Sequence, residues 1–221
     1  MRSLCFAACC GALTLAGCAS TTPKTTAGLG EELQPGQYPN TLVYRSPTLQ
    51  VGTGKYKGLL VDDAEIYRGA DADFGKASEA DKERLAQKLS SDFRSALTKG
   101  NYHLVSQPGQ GIVRLHLKLA GVKESKPVAA TVLRLTPLGL GVSAAKTVTN
   151  QSSTLVGSVT VAGEMTDTES GEALAGFVAT ESPIAIDITS GLGSLRAAEL
   201  GIERGSQEFV AALDRALNRT Q

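Results

Sequence analysis

The chain has 221 residues, 42% of them hydrophobic, enough for one domain with a real core and too many for wholesale disorder. Lys plus Arg and Asp plus Glu number 22 each, so no basic excess marks a nucleic-acid partner or an anionic surface. Aromatic residues make up 5% and Trp is absent, so the core has to be built from Val, Leu, Ile and Ala.

The chain begins MRSLCFAACCGALTLAGCAS. Arg2 and the amino terminus form a short positive region, and Leu4 to Ala16 is an uncharged apolar run. That run is shorter than the roughly 20 residues a bilayer span needs. Charge, short apolar run and small residues together predict a secretory signal over residues 1–17. Leu15-Ala16-Gly17-Cys18 resembles the lipobox of bacterial lipoproteins, whose Cys is acylated and becomes the first mature residue. The cysteine count agrees: Cys5, Cys9 and Cys10 leave with the signal, and Cys18 alone remains, unable to form an internal disulfide. Cys18 is therefore expected to be lipidated, and its acyl chains exceed the two signals that stable anchoring takes. Ala19, where enteric inner-membrane lipoproteins carry Asp, points to the outer membrane rather than the inner one, with the body facing the periplasm.

Ala19 to Asn40, rich in Thr, Gly and Pro, reads as a flexible tether reaching roughly 25 Å, so that Cys18 and the tether occupy residues 18–40 and one domain fills 41–221. Lys57 to Tyr67 predicts a strand. Ser78 then opens a helix in which Leu85, Ala86, Leu89, Phe93, Ala96 and Leu97 share one face. Ser78 with Asp81 is a variant capping box, Glu79 and Lys99 complement the helix dipole, and Gly100 is a natural stop. Tyr102 to Ser106 reads as a short strand. Ile112 to Val122 alternates: Val113, Leu115, Leu117 and Leu119 point one way, Arg114, His116 and Lys118 the other. A strand with one wet face predicts an antiparallel sheet.

Pro127 to Asn150 carries only Arg134 and Lys146 as charges and is expected to cover part of the sheet, because an uncovered sheet is an aggregation liability. A hairpin follows, Thr154 to Thr166 and Ala173 to Thr180 around the turn Asp167 to Gly171. At the C-terminus Phe209, Val210, Leu213, Ala216 and Leu217 form a helical stripe, with Ser206 as its expected cap. The elements predict a two-layer α+β domain in the order β-α-β-β-β-β-α, an antiparallel-rich sheet with two amphipathic helices on one face.

Motifs that suggest chemistry fail on their companions. Ser143 and Lys146 match S-x-x-K, but S-D-N and K-T-G are missing. Gly139-Leu140-Gly141-Val142-Ser143-Ala144 follows Pro137 with no βαβ unit around it, unlike a dinucleotide fingerprint. His103 and His116, the two histidines, have no second His or Cys at metal-ligand spacing. Asp62, Asp63 and Glu65 lie near one another, with Asp63 and Glu65 on one side of an alternating strand, and read as strand-end polar residues rather than an acid–base pair.

LVYRSPTLQVGTGKYKGLLVDDAEIYRGADADF, the helix, PGQGIVRLHLKLAGV and STLVGSVTVAGEMTDTESGEALA, in that order, resemble a bacterial lipoprotein family known as domain of unknown function 3313. The resemblance runs from about Leu42 to Leu217 and rests mainly on YKGLLVDDAEIYR and DTESGEALA; Tyr67 stands where the family usually has Trp. It implies an envelope location and an α+β fold, and brings no activity or catalytic residues.

With no catalytic set, cofactor or metal site in view, the chain is expected not to be an enzyme. It reads as a membrane-anchored binding or assembly module facing the periplasm, with an envelope protein as partner and no nucleic acid; its oligomeric state is open. The alternative is an enzyme or carrier acting on envelope lipid or cell-wall glycan. The expected partner surface is Arg114, His116 and Lys118, supplemented by Leu138 and Leu140.

Overall fold

The computed structural model describes residues 23–30, 32–49, 54–124, 157–182 and 195–217. Cys18, the signal segment, Leu138, Leu140, the Ser143/Lys146 pair, the glycine run at 139–144 and the whole of 127–150 lie outside the described residues.

Ser78 caps the first helix, α1 (Glu79–Lys99), as its chemistry requires: its hydroxyl accepts the Asp81 N–H at 3.2 Å. Leu85, Leu89, Phe93 and Leu97 recur at four-residue spacing and are fully buried. Each such side chain contributes roughly 1.5–3 kcal/mol by leaving water. Gly100 ends the helix at φ −76°, and the left-handed turn falls on Asn101 at φ 57°. Space rather than backbone freedom selects glycine at 100, since a Cβ there would lie 2.9 Å from Val210 Cγ1.

The remaining elements are β1 (Gln34–Pro35), β2 (Thr41–Arg45), β3 (Gly58–Val61), β4 (Glu65–Ile66), β5 (Ile112–Lys123), β6 (Ser158–Asp167), β7 (Ala173–Glu181) and α2 (Arg196–Ala216). They build one mixed sheet in the order β1-β2-β7-β6-β5-β3, with β4 also on β5. Both helices lie on the face that buries Val113, Leu115, Leu117, Leu119, Val159 and Val161. The architecture is the expected α+β one, with helices on one side. Arg84 joins the helices through Glu199 at 2.6 Å.

Several elements differ from the expectation. Among the described residues the order is four strands, helix, three strands, helix. Lys57 to Tyr67 is two short strands, both parallel to β5, because α1 is a crossover between them. The break at 62–64 is satisfied from α1: the Ala64 N–H donates to Ser90 Oγ at 2.7 Å, and Arg94 Nη2 donates to the Val61 carbonyl at 2.9 Å. Tyr102 to Ser106 forms only a bridge, Leu104 with Leu59. Helix α2 starts ten residues before Ser206, which is buried in mid-helix and donates to the Glu203 carbonyl at 2.7 Å, so it is not a cap. The N-terminal residue at that helix start, Leu195, makes no side-chain cap hydrogen bond.

The segment read as a tether through Asn40 is docked from Pro23 onward. Pro23, Thr25, Ala27 and Leu29 alternate as buried positions, and Gln34–Pro35 pair with β2. Their partners are on the sheet's second face, where Ala27, Leu29, Ala120, Ala162 and Val178 form a small second core. Alternation from Lys118 puts Ala120 on that face, and the bulge between Leu119 and Gly121 returns Val122 to the helix face. Polar composition concealed this arm: Ala27 and Leu29 are buried against the small Ala120, Ala162 and Val178, with Leu33, Leu42 and Tyr67 packed beside them.

Candidate functional site

Six strands side by side span roughly 24 Å, whereas the two helices among the described residues cover about 20 Å. The shortfall lies over β2 and β7. There the second half of α2 and the edge of the sheet bound a groove of about 870 Å³. Its floor is set by register: Thr41 opposes Ala179 and Val43 opposes Phe177. Its other wall is Phe209 and Leu213 of α2.

Aromatic residues converge on this groove. The chain has five Tyr and five Phe, and Tyr38, Tyr44, Tyr56, Tyr102, Phe177 and Phe209 all line it. Phe177 lies parallel to the buried Phe93 at 6.3 Å, and both rings pack on Phe209 at 5.4 Å. Gly163, opposite Phe177 on β6, leaves the space the ring fills: a Cβ there would lie 2.3 Å from Phe177 Cε1. The hydroxyl ends of the tyrosines are held. Tyr102 donates to Asp214 Oδ1 at 2.7 Å, Tyr56 donates to Asp167 Oδ2 at 3.1 Å, and Arg215 donates to the Tyr38 hydroxyl. The Arg215 guanidinium also lies 5.0 Å from the Tyr38 ring centre, so this pair clasps the β1–β2 turn to α2 across the groove. Asp167 is buried, and the N–H groups of Glu169 and Ser170 hold its carboxyl below the ordinary range, aided by Tyr56 and Lys55.

The groove's polar end is Glu181, the last residue of β7, 9% exposed. Burial first, and then the Glu208 charge, push its carboxyl up to about 7, with Arg204 opposing. Among the described residues no hydrogen bond or ion pair reaches that carboxyl. Gly201 lets α2 descend onto this corner, where a Cβ would sit 2.7 Å from Val159 Cγ1. One turn on, at Gly205, a Cβ would meet only Glu181 Cγ, at 3.6 Å. Concave, mostly apolar and carrying a few convergent polar groups, including a perturbed carboxyl, the groove has the make-up of a ligand site.

The residues singled out on β5 stand on the other face. Arg114 is exposed and lies 3.7 Å from Asp62. His116 lies between Asp62 at 3.5 Å and Glu65 at 3.4 Å. Lys118 is 4.0 Å from Glu65 and donates to the Ala27 carbonyl at 3.3 Å, half-buried beneath the arm. The row of cations is thus matched by carboxylates, and its inner member is covered. Asp62 and Glu65 share a side, whereas Asp63 turns away to Arg94 at 2.8 Å, because the strand breaks between them and alternation does not carry through. His103 is exposed at the groove's rim. Among the described residues no cluster of three or more His, Cys, Asp and Glu is arranged to hold a metal ion.

The arm is fixed by Asp71. Its carboxylate accepts the Thr25 hydroxyl at 2.7 Å, the Thr26 N–H at 3.0 Å and the Tyr67 hydroxyl at 2.7 Å. The Tyr67 bond and then the Thr25 bond hold its carboxyl down to about 2.

Sequence reasoning missed the groove because its parts are far apart in the chain and Tyr38 sits in a stretch that looks like coil. The available signal was the clustering of Tyr38, Tyr44 and Tyr56 in a chain so poor in aromatics.

The family model described as "Protein of unknown function (DUF3313)" matches residues 21–209. No curated protein matches the chain. Among solved structures, the PelC dodecamer from Paraburkholderia phytofirmans is 12% identical, covering 82% of this chain and 98% of that one at a TM-score of 0.43. A DUF4136-family protein from Bacteroides thetaiotaomicron is 13% identical, covering 83% of this chain and 100% of that one at a TM-score of 0.40. Likeness of this degree bears on neither ligand nor assembly.

Proposed function

The chain belongs to the DUF3313 family of proteins of unknown function, and from that premise we propose that it is a lipid-anchored envelope protein that binds a ligand non-enzymatically in the groove between α2 and β2/β7. The observation that carries the binding role is the convergence of six of the ten aromatic residues on one open groove. Such rings supply large contact area at little entropic cost.

The anchoring half of the proposal comes from Leu15-Ala16-Gly17-Cys18. The docked arm gives it a geometric consequence. Pro23 is the first buried position among the described residues, and the chain from Cys18 to Pro23 can span at most about 18 Å. The arm-bearing face of the sheet is then held near the bilayer, and the groove, on the helix face, is turned away from it. In this reading Arg114, His116 and Lys118 lie toward the membrane side as a neutralised surface, and the groove takes the role first expected of them.

Two measurements test the proposal. Metabolic labelling with an alkyne fatty acid should mark the protein and place it with the outer-membrane fraction, and Cys18→Ala should abolish the label; an unlabelled wild-type protein contradicts the anchor. Native mass spectrometry of the protein released from membranes should show a retained ligand mass that Leu213→Asp removes while the fold persists. A ligand mass that survives this change contradicts the groove.

A further inference from the structure

We infer that the groove takes an amphiphile with an ammonium head group, its apolar body along Phe177, Phe209 and Leu213 and its head at the Glu181 end. The inference rests on the groove being the binding element and adds the chemistry of its ligand.

Three observations converge. First, charge differs along the groove. Glu181 and Glu208 line one end, where Arg215 is engaged with Tyr38, and Arg45 and Lys57 line the other. Arg45 opposes Ala175 on β7, six residues from Glu181 and so roughly 20 Å away. A ligand with one cationic end has a single favourable direction in such a groove. Second, Glu181 is nine-tenths buried as a residue, and among the described residues no hydrogen bond or ion pair reaches its carboxyl. Among the described residues Arg204 opposes the Glu208 charge at Glu181. A buried carboxylate without a donor is costly. An ammonium placed against it supplies charge-assisted hydrogen bonds, and a carboxylate or phosphate head would be repelled. Third, the helix backbone leaves the approach to this carboxyl open. At Gly205 a Cβ would meet, among the described residues, only Glu181 Cγ, at 3.6 Å. The aromatic walls add to the preference, because ring faces attract cations.

The volume also limits the ligand. About 870 Å³ lies within the range of small-molecule sites and accommodates an alkyl or prenyl chain with its head. It is too small for a folded partner.

The test uses the full chain in phosphatidylcholine nanodiscs, titrated calorimetrically at pH 8 with octylamine, octanol and octanoate, empty nanodiscs being subtracted. Octylamine should bind about tenfold more tightly than octanol, with octanoate weakest. Glu181→Gln, a neutral near-isostere that keeps the fold, should bring octylamine down to the octanol level and leave octanol unchanged. Octanoate binding as tightly as octylamine, or octylamine binding indifferent to Glu181→Gln, overturns the inference. If all three probes bind equally and Leu213→Asp weakens all of them, the groove stands as the binding element and the ammonium assignment falls. If none binds, the amphiphile is the wrong ligand class, and the retained mass sought with the native protein decides separately whether the groove binds anything.

Discussion

Gly163→Ala is the substitution on which the packing of the groove wall can be judged. Gly163 faces Phe177 across the β6–β7 pair, and a Cβ at that position would lie 2.3 Å from Cε1 and 2.7 Å from Cζ of the ring. Neither contact is tolerable, so the ring must leave its place. It would then lose its contacts with Phe93 and Phe209. Two aromatic pairs are worth about 0.5–1.5 kcal/mol each. Overpacking adds roughly 1–3 kcal/mol, and replacing a strand glycine returns about 0.5–1 kcal/mol. The balance is a loss of about 3 kcal/mol, near 10 °C in Tm for a domain of this size. Urea denaturation followed by circular dichroism measures it. The decisive control is a double-mutant cycle: on a Phe177→Ala background the clash has no partner, so Gly163→Ala should cost nothing. A single mutant within 0.5 kcal/mol of wild type, or a cost that persists without Phe177, would refute the reasoning.

Three further outcomes follow from the same geometry. Glu181 has its carboxyl raised from 4.5 to about 7, so between those pH values the folded chain holds a proton that the unfolded chain releases; stability should fall by about 3 kcal/mol as pH rises from 4.5 through 7, and Glu181→Gln should flatten that fall in pH-dependent melts. Gly201→Ala and Gly205→Ala should have opposite signs: the first meets Val159 Cγ1 at 2.7 Å and should destabilise by about 1–2 kcal/mol, the second meets only Glu181 Cγ at 3.6 Å and should stabilise by about 1 kcal/mol through helix propensity, both read by urea midpoints. Asp71→Ala should release the arm, seen as faster hydrogen exchange at Ala27 and Leu29 with α1 unchanged; because the Tyr67 and Thr25 hydroxyls hold Asp71 down to about 2, acid should release the wild-type arm only as pH falls toward that value.

Where local chemistry and long-range packing agree, the fold is readable from the residues. The Ser78 cap and the Leu85/Leu89/Phe93/Leu97 stripe specify α1 without help from other elements, and the alternation in β5 and the β6–β7 hairpin assigns the buried face of each. What could not be read depends on partners distant in sequence. Parallel pairing of β3 with β5 follows from α1 lying between them, and the break at 62–64 exists because Ser90 and Arg94 reach back to it. Ser206 has the composition of a cap, but Ala197, Ala198, Gly201 and Ile202 find a core that extends the helix before it. The arm looks like coil because Thr, Gly and Pro dominate it, and the Ala120/Ala162/Val178 surface that receives Ala27 is contributed by three different strands. Of the expected partner surface, Arg114, His116 and Lys118 share one face of β5 as the alternation predicts, but alternation sets Asp62 and Glu65 on opposite sides, whereas the break at 62–64 brings both against them. The groove lay beyond sequence reasoning because its walls come from β2, β7 and α2, which are far apart in the chain.

The most direct measurement is site-specific photocrosslinking in intact cells, with a benzophenone side chain placed in turn at Leu213 and Ala216 in the groove and at Arg114 on the opposite face. The account predicts a reproducible adduct from the groove positions that saturating octylamine suppresses, and none from Arg114. Adducts from Arg114 alone would contradict the claim that this groove is where the protein binds its ligand, and groove adducts that octylamine leaves untouched would contradict the ammonium assignment.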